Sequence, residues 1–246
     1  MKVLSIGNSY SQDAHRYLHR LSVAAGEPIF TTNLYIGGCS LERHDQNLQT
    51  GEKAYTLIFN GENTEMMVSL QDAVEHCQYD VVTLQQASHY STDYGTYQPY
   101  LSRLFDYVRK HQPEAKILIH ETWAYEDGCQ RMTDKFGYNS AERMYAELHA
   151  AYEQAAGELG VDVIPAGTAM IRATQMGLTP IHRDTYHASR DYGRYLLSAT
   201  WFMKLTGKRL DGVLLPGFDT DAPIDCEFYH IATHAATEAV FGEAQA

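Results

Sequence analysis

The chain has 246 residues, 44% of them hydrophobic and 20% charged, which is enough for one sizeable core in an ordinary globular protein. Its formal net charge of −12 argues against a nucleic-acid backbone or an anionic membrane surface as partner, because either would repel it. By the same reasoning, a neutral or cationic small substrate is favoured. Oligomeric state is not readable from this composition.

No stretch approaches the ~18 apolar residues that span a bilayer, and the start of the chain lacks the basic and apolar regions of a signal peptide. We therefore expect a cytoplasmic protein, with a secreted form whose signal has been removed as the alternative. The four cysteines are widely scattered and form no CxxC pair, which indicates free thiols rather than disulfides or a structural metal.

Short β-rich apolar runs alternate with stretches whose apolar residues recur every three or four positions. The predicted strands are residues 2–6, 29–36, 80–84, 115–120 and 161–164. The predicted helices between them are residues 14–25, 67–77, 97–111 and 140–159. This order predicts an α/β fold, a three-layer sandwich in which helices flank a central, mostly parallel sheet of about five strands.

After the last strand, the pattern predicts further helices over residues 169–175, 189–205 and 226–241, with a loop over 180–187. No repeat or linker divides the chain, so residues 1–246 are expected to form one domain. Two long segments, 41–65 and 121–138, have no clear periodicity. Because long loops in open α/β sheets gather at the carboxyl ends of the strands, both are candidate walls of a substrate site.

The first strand runs directly into Gly7-Asn8-Ser9, so Ser9 is expected in the tight turn between a strand and a helix. A serine at that position is exposed at the ligand edge of the sheet, and its backbone N–H can face a developing oxyanion. The alternative is that Ser9 or Ser11 only caps the helix, a common role of serine.

A second candidate is the segment Asp184-Thr185-Tyr186-His187, which lies in the predicted loop. An aspartate three residues before a histidine can hold the imidazole through Nδ1 while Nε2 faces a serine. In the alternative interpretation, Asp184 or Ser189 caps the following helix and His187 merely packs beside it.

Two more segments follow predicted strands. Gly37-Gly38 can turn sharply and expose an unhindered N–H, as an oxyanion hole requires, although paired glycines are more often an ordinary turn. In the run Gln85-Gln86-Ala87-Ser88-His89, a side-chain amide can donate to an oxyanion or simply pin the loop.

These four pieces, G-N-S, I-G-G, L-Q-Q-A-S and D-x-x-H, occur in an order that resembles the SGNH (GDSL-like) hydrolase superfamily. The resemblance extends over essentially the whole chain. It implies an SGNH or flavodoxin-like fold, an esterase activity and a catalytic triad with Ser9 as nucleophile, His187 as base and Asp184 as orienter. It also implies an oxyanion hole formed by Ser9, Gly38 and Gln86, with no cofactor.

Two departures from the family pattern stand out. Asn8 replaces the aspartate of GDS-type members, and the third block lacks G-x-N-D and is closer to the Gln-type block of sialate O-acetylesterase-like carbohydrate esterases. Gln85 or His89 is therefore the alternative to Gln86, and both are also candidate substrate-binding residues together with Trp123 of the aromatic segment 121–138. By analogy, the expected substrate is a small-molecule or carbohydrate ester, above all an O-acetylated sugar.

Three other functions compete with the esterase prediction. A non-catalytic carbohydrate- or small-molecule-binding protein on the same scaffold is disfavoured by the intact triad residues. A nucleotide-binding protein is disfavoured because both GxGxxG and the P-loop motif are missing after the first strand. A metal-dependent hydrolase would use His120, His182, His230 or His234, but His230 and His234 lack the glutamate of HExxH, so no metal is expected.

Overall fold

The structure is a computed structural model that describes residues 1–215, 217–221 and 223–242. Seven strands form one sheet. They are β1 (Lys2–Gly7), β2 (Phe30–Tyr35), β3 (Tyr55–Phe59), β4 (Glu62–Val68), β5 (Val81–Leu84), β6 (Lys116–His120) and β7 (Asp162–Ile164). The helices of the first half are α1 (Ser9–His15), α2 (Leu18–Ala24), α3 (Leu41–Thr50), α4 (Leu70–His76) and α5 (Tyr100–His111), preceded by a 3₁₀ turn at Tyr94–Thr96. Those of the second half are α6 (Gln130–Phe136), α7 (Ala141–Leu159), α8 (Ala166–Gln175), α9 (Tyr192–Thr206) and α10 (Cys226–Phe241).

The strand order in the sheet is β4-β3-β2-β1-β5-β6-β7. The strands β2, β1, β5, β6 and β7 are parallel to one another, whereas β3 pairs antiparallel with β2 and β4 with β3. From β1 the chain crosses to β2 on one side, and from β5 it crosses to β6 on the other. The carboxyl ends of β1 and β5 therefore meet at a topological switch point, where open α/β sheets bind their ligands.

Helices cover both faces of this sheet. The crossovers from β1 to β2 and from β5 to β6 run in opposite directions, so the right-handed rule places α1 and α2 on the face opposite to α5. In agreement, α9 packs against α1 and α2, while α3 and α4 pack against α5. The expected three-layer α/β sandwich with a central, mostly parallel sheet is confirmed.

The sheet has two strands more than the expected number of about five. The additional strands, β3 and β4, form a hairpin that begins within segment 41–65, where the sequence has no clear periodicity. Strand β4 lies at the sheet edge and is exposed on both faces, so it has no apolar alternation by which a strand could be recognised. A usable signal was Asn60-Gly61, whose φ angles of 51° and 81° form the turn; an Asn-Gly pair is typical of tight hairpins.

Helix boundaries also differ from the predicted ones. The segment predicted as one helix over 14–25 lies in two shorter helices, α1 and α2, and α1 already begins at Ser9. The helix predicted over 67–77 starts only at Leu70, because Met67 and Val68 belong to β4 and Ser69 caps the helix. Segment 41–65 also contains α3, and segment 121–138 contains α6.

The core lies on both faces of the central strands. Val81, Val82 and Leu84 of β5 are buried, as are Leu4 and Ile6 of β1. Within the described ranges, no helix is long and apolar enough to cross a membrane. The four cysteines are free thiols, two buried and two exposed.

Candidate active site

Ser9 is the first residue of α1, directly after β1 and the cap residue Asn8. The turn is tight: a Cβ atom added at Gly7 would lie 2.3 Å from the Ser11 hydroxyl, so only glycine fits there. Asn8 Oδ1 accepts a hydrogen bond from the Tyr10 N–H at 3.0 Å and so caps the helix. Ser9 itself is not the cap and is left partly exposed at the edge of the sheet.

Three side chains form a hydrogen-bonded chain at this edge. The distance between His187 Nε2 and Ser9 Oγ is 2.9 Å, and that between His187 Nδ1 and Asp184 Oδ2 is 2.7 Å. The Asp184 carboxylate makes Nδ1 the protonated ring nitrogen, so that Nε2 can accept the Ser9 hydroxyl proton. The structure thus brings together the three residues that the sequence singled out as a triad.

The Asp184 carboxylate is held in its ionised form. Burial alone would raise its pKa, but hydrogen bonds from the His187 side chain and backbone N–H outweigh burial and lower the pKa below the ordinary value of an aspartate. The bond from the His187 N–H to Asp184 Oδ1 measures 2.8 Å. This local loop therefore fixes both the charge and the direction of the carboxylate.

A buried ion-pair cluster anchors the loop that carries His187. Asp13 of α1 is fully buried and accepts hydrogen bonds from Arg183 at 2.8 and 3.0 Å and from Arg194 of α9 at 2.8 Å. The Arg183 side chain also donates a hydrogen bond to the Ala188 carbonyl, and the Arg183 backbone N–H donates one to the His187 carbonyl. The helix that follows Ser9 is thus tied directly to the segment on both sides of His187.

Two aromatic residues hold the same loop at the Tyr186 carbonyl. This oxygen accepts the Tyr10 hydroxyl at 2.8 Å and the Trp123 indole N–H at 2.9 Å. The rings of Tyr10 and Trp123 are stacked, with centres 3.9 Å apart. Consequently the residue after Ser9 and the residue before His187 are linked through one buried aromatic pair.

Gly38 lies across from Ser9, in the turn after β2. Its φ angle is +63°, a conformation that favours glycine, and its N–H has no hydrogen-bond partner among the described residues. The Asn8 side chain donates a hydrogen bond to the Cys39 carbonyl at 3.0 Å and so connects this turn to the turn between β1 and Ser9. Gly38 therefore has a free backbone N–H and lines the same cleft as Ser9.

Gln86 does not reach the cleft, and its predicted place in an oxyanion hole is wrong. Its amide nitrogen donates to the backbone and hydroxyl oxygens of Thr96 at 2.9 and 3.1 Å. Its Oε1 accepts from the N–H groups of Leu41 and Ala87. All hydrogen-bonding groups of the Gln86 side chain are thus engaged in holding the loop after β5 in place, which was the alternative role of this amide.

Gln85 is not a substrate-binding residue either. It is buried below the nucleophile turn, where Nε2 donates to Asn8 Oδ1 at 2.8 Å and Oε1 accepts from His120 Nδ1 at 2.8 Å. His120 is fully buried, and burial lowers its pKa to about 3. Together they support Asn8 from beneath.

Trp123 is fully buried, so its predicted contact with substrate is also wrong. Among the candidates from the third block, His89 is the side chain that lines the cleft. Burial and the nearby positive charges of Lys135 and Arg131 lower its pKa to about 4, which leaves a neutral imidazole at neutral pH. Among the described residues, the structure records no hydrogen-bond partner for its ring nitrogens.

The cleft in front of Ser9 has a volume of about 580 Å³ and is open to solvent. It is lined by the β1–α1 turn, the end of β2 with the Gly37-Gly38 turn, the loop after β5, one face of α6 and the loop before α9. Segment 121–138 thus supplies a wall through α6, as expected, whereas segment 41–65 contributes no lining residue.

Sequence reasoning missed Arg131 and Lys135 of α6, which both line this cleft. Their only local signal is the four-residue spacing that places two cations on the same face of a helix. Across the described ranges, no group of three or more histidine, cysteine, aspartate or glutamate side chains is arranged to hold a metal ion.

Comparison with known proteins agrees with this architecture. A family model described as "Domain of unknown function (DUF4886)" matches residues 2–238. The crystal structure of a DUF4886 family protein from Bacteroides uniformis is 33% identical, covers 100% of this chain and 97% of that chain, and superposes with a TM-score of 0.88. Among curated proteins, none matches the chain.

More distant structures share the fold. A putative SGNH hydrolase from Slackia heliotrinireducens is 21% identical, with 83% of this chain and 98% of that chain covered and a TM-score of 0.60. An acetylxylan esterase from Geobacillus stearothermophilus is 14% identical, with 83% and 94% covered and a TM-score of 0.57. At these identities the likeness shows the SGNH-type fold.

Proposed function

Because the chain belongs to the DUF4886 family and has an SGNH-type fold, we propose that it is a serine esterase that hydrolyses short-chain acyl esters, above all O-acetyl groups on a carbohydrate. The observation that carries the proposal is the hydrogen-bonded chain from Asp184 through His187 to Ser9, with distances of 2.7 and 2.9 Å. The working unit is a single domain without a cofactor.

In the proposed reaction, Ser9 Oγ attacks the ester carbonyl while His187 Nε2 takes the hydroxyl proton. Asp184 stabilises the imidazolium through Nδ1. The tetrahedral intermediate collapses, and His187 returns the proton to the leaving alkoxide, which departs as the alcohol. Water then attacks the acyl-Ser9 ester while His187 takes one of its protons. As the second tetrahedral intermediate collapses, His187 passes this proton to Ser9 Oγ, and the carboxylic acid leaves.

The oxyanion is assigned to the backbone N–H groups of Ser9 and Gly38, and a third donor is the His89 ring. Support comes from the unpaired Gly38 N–H and from the neutral His89 imidazole, which carries one N–H donor. Loss of one such donor typically slows kcat about 10²- to 10³-fold. His89 takes the place that the resemblance implied for Gln86.

Two observations favour a small acyl group on a sugar. The cleft is open and lined largely by polar and aromatic side chains. The acetylxylan esterase that shares the fold acts, by its name, on an acetylated carbohydrate. An aromatic ring at the cleft, that of Tyr35, suits the face of a sugar ring.

The test compares hydrolysis of p-nitrophenyl acetate, butyrate and octanoate by wild type and Ser9→Ala, together with fluorophosphonate labelling followed by intact mass. We expect one label per chain and activity that is highest on acetate, with both lost in Ser9→Ala. Ser88→Ala, which removes another hydroxyl at the same cleft, serves as the labelling control and should keep the label.

A folded wild type that takes up no label and hydrolyses these esters no faster than Ser9→Ala would overturn the esterase assignment. That result would favour the non-catalytic carbohydrate-binding protein on the same scaffold.

A further inference from the structure

The cleft wall opposite the triad carries two positive charges. Arg131 and Lys135 lie one turn apart on α6, both are exposed, and both line the cleft that contains Ser9 and His187. None of the lining residues is an aspartate or a glutamate. The cleft is therefore cationic in a chain whose formal net charge is −12.

These charges are not neutralised by the protein. Within the described part of the chain, neither side chain forms an ion pair; each instead lies over an aromatic ring. The Arg131 guanidinium is 4.3 Å from the centre of the Tyr186 ring, and the Lys135 ammonium is 4.5 Å from that of Tyr90. A nearby carboxylate, that of Asp134, shares the outer surface of α6 with Arg131 and Lys135 but does not line the cleft.

The two cations act on the cleft and on each other. Partial burial and the charge of Arg131 lower the pKa of Lys135, and both charges lower the pKa of His89 on the facing loop. Like charges four residues apart on a helix also repel one another. An anion placed between them would relieve this repulsion, whereas a neutral ligand would not.

We infer that the ester substrate carries a carboxylate, which Arg131 and Lys135 bind while Ser9 attacks the acyl group. A guanidinium presents two parallel N–H groups that match a carboxylate, and the ammonium adds a second, flexible donor. The inference rests on the proposed esterase function and narrows its substrate to acidic compounds, for which an O-acetylated sugar acid is the natural form. It replaces the neutral or cationic substrate expected from the net charge.

The test uses two esters of nearly equal shape, 4-acetoxybenzoate and 4-acetoxybenzamide, and compares their kcat/KM ratio between variants, so that intrinsic reactivity cancels. The double variant Arg131→Gln/Lys135→Met should lower the ratio of anionic to neutral ester about 10-fold, mainly through KM. Arg131→Lys keeps the charge and should retain most of the ratio. Lys110→Met removes an exposed charge from the end of α5, outside the cleft lining, and should leave the ratio unchanged.

Salt provides a second measurement. At an ionic strength of about 1 M the Debye length is only about 3 Å, so the wild-type preference for the anionic ester should shrink, while the double variant should respond little. A preference that is equal in wild type and double variant would overturn the inference, as would an equal salt response.

The outcome is separable from that of the proposed function. If Ser9→Ala hydrolyses both esters as fast as wild type, the esterase assignment fails. If hydrolysis depends on Ser9 but the charge preference is missing, only the substrate inference fails. Binding of both compounds to Ser9→Ala by calorimetry tests recognition without turnover: tighter binding of 4-acetoxybenzoate supports the inference, and equal affinity overturns it.

Discussion

The two walls of the cleft are built in opposite ways. The wall with Ser9 and His187 is fixed by buried hydrogen bonds. Asp13 accepts hydrogen bonds from the loop that carries His187, and Asn8 connects the turn of Ser9 to the turn after β2. The wall of α6 presents Arg131 and Lys135 on the exposed side of a seven-residue helix, each next to an aromatic ring. The groups of the proposed reaction are thus held by buried contacts, whereas the charges proposed to recognise the substrate lie on a short surface helix.

The sharpest test of the rigid wall is Asp184→Asn. An amide in place of the carboxylate removes the charge that stabilises the imidazolium and stabilises the wrong tautomer of His187, so we expect kcat to fall about 10⁴-fold with little change in KM. Steady-state kinetics on p-nitrophenyl acetate measures it. A loss of less than about 10-fold, with circular dichroism unchanged, would remove Asp184 from the triad.

Asp13→Asn tests the anchor of the loop. The change leaves Arg183 and Arg194 facing a neutral amide in a buried site, so unfolding should become easier by about 3–5 kcal/mol. Urea denaturation measures this loss. The control is Asp162→Asn, which breaks an exposed pair with Lys116 and should cost less than about 1 kcal/mol. Equal losses in the two variants would show that the anchor contributes nothing special.

Asn8 is expected to act as a positioning residue. Asn8→Ala removes the acceptor for Gln85 and Tyr10 and the donor to Cys39, so kcat should fall about 10- to 100-fold at nearly constant KM. Asn8→Asp keeps the acceptor and should recover part of the loss. An effect on KM alone, or no recovery in Asn8→Asp, would contradict this role.

The smallest expected effect concerns His120, whose pKa burial lowers to about 3. Below pH ~6.5 this histidine binds a proton in the unfolded chain but not in the folded chain. The contribution of the neutral His120 to the free energy of unfolding is therefore complete above pH ~6.5 and decreases as the pH falls toward 3. At pH 5.5 the loss is about 1 kcal/mol. His120→Gln should therefore shrink the difference in unfolding free energy between pH 7.5 and 5.5 by about that amount.

The arrangement of the proposed triad could be predicted because its parts are local. Asp184 and His187 are three residues apart in one loop, and Ser9 follows a strand whose apolar pattern is plain. The roles of Gln85 and Gln86 could not be predicted, since consecutive residues after a strand point in different directions. One lies under the nucleophile turn and the other toward Thr96, and only the tertiary packing decides which.

The strands of the sheet also differ in how well the sequence predicts them. The five parallel strands were predictable from their apolar runs, whereas β4 was not, because an edge strand exposed on both faces needs no apolar residues. The positive charges of α6 were not predicted for a related reason. The net charge sums over the whole chain, whereas the electrostatic field inside a cleft depends on the few side chains that face it.

The bond from the Trp123 indole to the Tyr186 carbonyl also has an optical consequence. Trp123 and Trp201 are the chain's two tryptophans, and both are fully buried. Because the Trp123 N–H ends on the residue beside His187, any displacement of that loop must alter the polarity around this indole. With Trp201→Phe as background, the emission spectrum of Trp123 becomes an intrinsic reporter of whether the loop is seated, readable during turnover without an added dye.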